Sequence, residues 1–193
     1  MAEIALADPG SLLDAGAHER AVDFILGNGS ELQHAQLAWY RTGDDSGIGQ
    51  ALARYQNPDG GFGHGHEPDL RTERSSVVST TVALQLLSRI AAPADSPLVA
   101  GALDYLSDTY DGANWRLIDA ECNDAPQAPW WNWETRTDLH QPAGFVPNPG
   151  AEILSYFYTW PDGASDAMRD DLCSRAVAHL EKRGVGRIVV YGG

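Results

Sequence analysis

Apolar positions recur at helical spacing along most of this chain, and the breaks between them fall at glycine, proline and capping residues. Val22, Ile25 and Leu26, then Leu32, Ala35 and Trp39, predict two short helices parted by Gly27-Asn28-Gly29-Ser30. Ile48, Ala51, Leu52 and Tyr55 stand at i, i+3, i+4 and i+7, so a helix over 44–56 buries one face and delivers Gln56 to a turn. From Ser75 to Ile90 apolar residues occupy more than one face, which predicts a helix buried on most sides. Ser96-Pro97 supplies an N-cap and first turn for a helix over 96–110 carrying Leu98, Ala102, Leu103 and Leu106. Asn148-Pro149 starts another with Ile153, Leu154 and Phe157, and Pro161-Asp-Gly163 closes it. Ser165 caps a last helix that ends near Gly184. The pattern predicts one all-α domain over 1–193: first helices over 17–56, C-terminal helices over 148–184, and a tail over 185–193 whose Ile188-Val-Val-Tyr191 has strand character but no sheet to join.

Two of the breaks share an order of residues. Tyr55-Gln56-Asn-Pro-Asp59-Gly60-Gly61-Phe62 runs from a helix end into a Gln, an Asp-Gly-Gly turn and an aromatic. Tyr110-Asp111-Gly112-Ala-Asn-Trp115 repeats the Asp-Gly step and the aromatic 52 residues later, without the Gln. A Gln amide offers a donor and an acceptor to groups left open at helix ends, the glycines allow positive φ, and the aromatic folds back as a lid. These corners, within the 44–115 stretch, resemble the QW-type repeats of the terpenoid cyclase and protein prenyltransferase superfamily, with Phe62 where Trp is usual.

That resemblance implies helical hairpins forming an α/α toroid, or an open, partial one, around an apolar cavity. The Ser75–Ile90 helix would be an inner member and the flanking helices outer ones. It also implies an isoprenoid-type ligand and, if the protein is catalytic, lyase, isomerase or transferase chemistry. The Asp-x-Asp-Asp run of class II cyclases has no counterpart; the nearest segment is Asp119-Ala-Glu121-Cys122-Asn-Asp124. The zinc site of protein prenyltransferases would have to be drawn from Asp119 or Glu121, Cys122 and His140. No cofactor or metal site is predicted; zinc or magnesium would be the ions to consider.

Composition narrows the partners. Thirteen Lys+Arg against 27 Asp+Glu give a formal charge of -14, which repels nucleic-acid phosphates and anionic lipid surfaces. No segment approaches the roughly 20 apolar residues of a membrane span, and the N-terminus lacks a secretory pattern, so a cytoplasmic location is expected. Cys122 and Cys173 form no CxxC pair and read as structural thiols. Gly-x-Ser-x-Gly, P-loop and His-Glu-x-x-His patterns are absent, which sets aside the familiar hydrolase, nucleotide and zincin readings. Oligomeric state leaves no mark in the sequence.

Candidate chemistry concentrates in two loops. His64-Gly-His66-Glu67-Pro68-Asp69 follows the first corner; in an extended loop His64 and His66 would point one way and Glu67 and Asp69 the other. Glu67 or Asp69 could act as a general acid if buried, or could cap the next helix or pair with Arg71. The proline-rich loop 116–147 carries Trp130, Trp131 and Trp133, with Glu134 beside them as the carboxylate in the most apolar setting. These indoles could line an isoprenoid cavity, stack on sugar rings, or plug the loop onto the helices. Three functions remain open: an apolar-ligand protein of cyclase type, a carbohydrate-active or sugar-binding α/α protein, and a non-catalytic scaffold docking a protein.

Overall fold

In the computed structural model, which describes residues 15–140 and 144–182, every regular element is helical and the only β pairing among the described residues is isolated bridges. The chain divides into two compact units between Arg54 and Tyr55. The tail and the expected helix end near Gly184 lie outside the described residues.

The first unit holds α1 (Ala15–Asn28), α2 (Glu31–Thr42) and α3 (Ile48–Leu52), with α2 packed on both neighbours. Ser30 starts α2 through a reciprocal cap. Its hydroxyl accepts from the Gln33 amide at 3.3 Å, and the Gln33 side chain accepts from Ser30 N–H at 2.7 Å. Gly43, at φ 75°, ends the helix and returns its N–H to the Trp39 carbonyl. The helix expected over 44–56 is much shorter. Asp44 accepts from the Ser46 N–H at 3.1 Å and holds 44–46 as a turn, so α3 begins only at Ile48 and tightens into a 3-10 turn over Ala53–Tyr55.

The second unit is built on α4 (Val77–Arg89), which packs against α5 (Pro97–Asp108) and α6 (Pro147–Thr159); α6 also packs on α7 (Asp166–Lys182). Burial on most sides of α4 is as expected, but the buried set includes Ser79, Thr80 and Thr81 beside Val77, Leu84 and Leu87. Hydroxyls can lie in this core because each has a partner. Thr80 donates to the Ser76 carbonyl at 2.7 Å and Thr81 to the Val78 carbonyl at 2.9 Å, while Ser76 caps α4 by accepting from Ser79 N–H at 3.0 Å. Leu106, Ile153, Phe157 and Leu172 complete the core, each contributing about 1.5–3 kcal/mol by burial.

Ser96 precedes Pro97 at the start of α5 as expected, although its side chain makes no capping bond. Ser165 does cap α7, accepting from Met168 N–H at 3.2 Å. Asn148 keeps a non-helical backbone inside the first turn of α6, so the regular helix begins after it. Among the described residues, no helix is long and apolar enough to cross a membrane.

Candidate functional site

The first corner closes through its own backbone. Asn57 N–H donates to the Gly61 carbonyl at 2.8 Å, Gly60 N–H to the Asn57 carbonyl at 2.9 Å, and Asp59 accepts from Gly61 N–H at 3.0 Å and from the Ser75 hydroxyl at 2.7 Å. Gln56 acts differently from the helix-end role expected of it. Its amide donates to the Gly60 carbonyl at 2.9 Å and to the Leu98 carbonyl, in the first turn of α5, at 3.1 Å, so it pins the corner to a helix 42 residues away. The approach is close enough to require glycine. Gly60 sits at φ 84°, and a Cβ there would lie 2.7 Å from the Gly101 carbonyl carbon and nearer still to its oxygen. Phe62 is then fully buried, its N–H donating to Thr80 Oγ1 at 3.0 Å and its carbonyl accepting from Ser76 N–H at 3.0 Å.

The second corner uses other bonds. Asp111 accepts from Ala113 N–H at 2.8 Å and Asn114 N–H at 2.7 Å, Gly112 takes φ 88°, and Trp115 is buried with its indole N–H on the Leu106 carbonyl at 2.6 Å.

The loop after the first corner is not extended. His64 at φ 54° and Gly65 at φ 70° are left-handed, which breaks the expected alternation: His64 is exposed and bonds Asn57 Oδ1 at 2.9 Å, whereas His66 turns inward against Tyr55 and Phe62, at 5.2 and 5.9 Å. Burial lowers the His66 imidazole pKa to about 4, with a backbone contact to Val82 acting against it. Glu67 accepts from Asp69 N–H at 3.4 Å, so it closes its own turn instead of capping α4. Asp69 is exposed, and its carbonyl accepts from Ala128 N–H at 2.8 Å. With Arg71 N–H on the Pro126 carbonyl at 3.0 Å, this bridge ties the two chemistry-bearing loops together through their backbones.

A cleft of about 390 Å3 opens between the start of α4 and the start of α6. Trp130 and Trp131 line it with Val78, Thr81, Leu117, Leu139, Val146, Asn148, Pro149, Arg136 and Asp138. Trp130 is 51% exposed, and among the described residues the buried indole N–H of Trp131 has no partner. Arg136 forms a two-pronged pair with Asp138, Nε to Oδ1 at 2.9 Å and Nη2 to Oδ2 at 2.8 Å, while its Nη1 donates to the Trp130 carbonyl at 3.0 Å. The guanidinium holds the Asp138 carboxyl below its ordinary range.

Trp133 does not line this cleft. It stacks on His140, centroids 3.6 Å apart and planes 15° from parallel, and Arg116 lies over its ring. Glu134 is exposed, contrary to the apolar setting expected for it, because Asn132 accepts from the N–H groups of Glu134 and Thr135 at 3.0 and 3.1 Å and turns the chain outward. Glu67 and Asp69 are likewise absent from the lining.

A second, more polar groove of about 660 Å3 runs past the first corner, with Asp59, His64, Arg74, Tyr105 and Asp119 among its walls. Burial, then the charges of Asp59 and Asp119, push the Tyr105 hydroxyl pKa upward. Among the described residues no three His, Cys, Asp or Glu side chains are grouped to hold a metal ion, so Asp119 or Glu121, Cys122 and His140 do not assemble as one site. Cys122 is buried in a 3-10 turn, and burial raises its thiol pKa.

Sequence reasoning found the indoles but missed Arg136 and Asp138, whose Arg-x-Asp spacing was the available signal. The chain matches no protein-family model, no curated protein and no solved structure.

Proposed function

We propose that this protein binds an apolar, isoprenoid-type ligand in the Trp130–Trp131 cleft, on a scaffold of terpenoid cyclase and prenyltransferase type: helical hairpins set as an open α/α toroid, working in the cytoplasm. The observation that carries the reading is the cleft's lining. Val78, Leu117, Leu139, Val146 and Pro149 supply aliphatic walls in addition to the two indoles, and aliphatic side chains solvate hydrocarbon far better than hydroxyls. The volume of about 390 Å3 falls within the range of small-molecule sites. The two glycine corners with buried aromatics support the scaffold reading. Glu67, Asp69 and Glu134 have no part in the cleft, and Asp138 is held ionised by Arg136, so the reading is of binding, with no acid assigned to protonate the ligand.

The exposure of Trp130 favours a second reading, a sugar ring stacked on an indole platform. Fluorescence titration with a prenyl alcohol and with oligosaccharides separates the two. Saturable quenching by the alcohol, lost in Trp130→Ala, is expected; saturation by sugars alone replaces the isoprenoid reading, and silence with both refutes a ligand site in the cleft.

A further inference from the structure

The charge arrangement of the cleft goes one step beyond an apolar lining and bears on the head group that its ligand carries. Among the described residues that line it, Arg136 is the one cationic side chain, and three of its five N–H donors are committed. Nε and Nη2 engage both oxygens of Asp138 in parallel, and Nη1 holds the carbonyl of Trp130, the residue whose indole forms part of the wall. The pair carries no net charge. Thr81 and Asn148, the remaining polar walls, are neutral.

A phosphate ester is recognised by an arginine that presents its fork free, or by several cations or a helix N-terminus together. Here a phosphate seeking the Nε/Nη2 fork would have to turn Arg136 away from Asp138 and leave that carboxylate facing the anion, and one approaching the remaining Nη hydrogens would meet a guanidinium whose charge Asp138 already neutralises. A chain with formal charge -14 adds long-range repulsion to this local cost.

We infer that the Arg136–Asp138 pair is a selectivity element that makes the cleft take an uncharged isoprenoid, such as a prenyl alcohol, and turn away its diphosphate ester. The inference rests on the proposed function of the cleft. Arg136 orients Trp130, and Asp138 occupies the Nε/Nη2 fork and neutralises its charge. Asp138 is 65% exposed and Arg136 36%, so the pair contributes little to folding and can be opened without unfolding the protein.

The test is a fluorescence titration of the full chain with a prenyl alcohol and the diphosphate of the same chain length, at one moderate salt concentration. Wild type is expected to bind the alcohol more tightly than the diphosphate by about tenfold or more, the scale of a like charge placed against the site. Asp138→Asn removes the carboxylate charge from the fork at nearly the same shape and should narrow or invert that ratio. Arg136→Gln should weaken both ligands by loosening Trp130, and circular dichroism on each variant confirms that folding is retained. Equal or tighter diphosphate binding by wild type, or an unchanged ratio in Asp138→Asn, overturns the inference while leaving the apolar cleft standing. Failure of wild type to bind either ligand overturns the cleft reading itself and this inference with it.

Discussion

Replacing Gly60 by alanine tests the corner most directly, because the cost has two separable parts. The first is conformational: φ 84° is left-handed, which disfavours an L side chain by about 1–2 kcal/mol. The second is steric. The added Cβ would lie 2.7 Å from the carbonyl carbon of Gly101 and closer to its oxygen, and these are backbone atoms of α5 that cannot rotate away. To relieve the overlap the corner must lift from α5, which stretches the Gln56 bond to the Leu98 carbonyl, at roughly 1 kcal/mol. Gly60→Ala should therefore cost about 2–3 kcal/mol in all. Gly112→Ala is the internal control: its φ is 88°, yet nothing lies within 4 Å of the Cβ position, so about 1–2 kcal/mol is expected. Urea unfolding followed by tryptophan fluorescence reads the second unit, which contains five of the six tryptophans (Trp115, Trp130, Trp131, Trp133 and Trp160). Equal losses for the two variants would refute the close approach of the first corner to α5.

Removing the Gln56 amide as Gln56→Ala should cost about 1–2 kcal/mol, and unchanged thermal stability would refute its pinning of the corner to α5. Thr80→Val keeps the shape but leaves the Phe62 N–H without its acceptor, an expected loss of about 1–3 kcal/mol by denaturant titration; a neutral result would mean that another group satisfies that N–H. His66, with its pKa lowered from 6.5 in the unfolded chain to about 4 in the folded one, binds more protons when unfolded. Its contribution is present in full above pH 6.5 and is lost as pH falls through 6.5 towards 4, an effect of about 3 kcal/mol that His66→Phe should remove from the pH–stability curve. A curve of unchanged slope between those pH values in the variant would assign the acid loss to other groups.

Helix positions were legible wherever an apolar stripe had a clear cap. Ser165 and Ser96 fall within a residue of where α7 and α5 begin, and the all-round apolarity of 75–90 corresponds to the burial of α4. The 44–56 helix was overextended because its periodicity is genuine at Ile48, Ala51 and Leu52, while the Asp44 side chain captures the Ser46 amide and no hydrophobic count registers that competition. Splitting of the His64 and His66 directions came from positive φ at a histidine, which composition does not announce. The cleft was hardest to foresee. Val78, Leu117, Trp130, Leu139 and Pro149 meet only through packing of distant elements, and an indole cluster alone does not distinguish Trp131, which lines the cleft, from Trp133, which turns to His140.

The Phe62 amide is bound to a threonine hydroxyl instead of to a neighbouring strand, and that threonine stands on the helix whose Val78 and Thr81 form a wall of the cleft. Phe62 is thus a built-in observer of α4. In a deuterium-exchange experiment its amide should be among the slowest outside the helices, and it should slow further when a ligand fills the cleft, since any opening that frees it must first move α4. A single backbone resonance, remote in sequence from every indole of the cleft, would then register occupancy without a label and without touching the site.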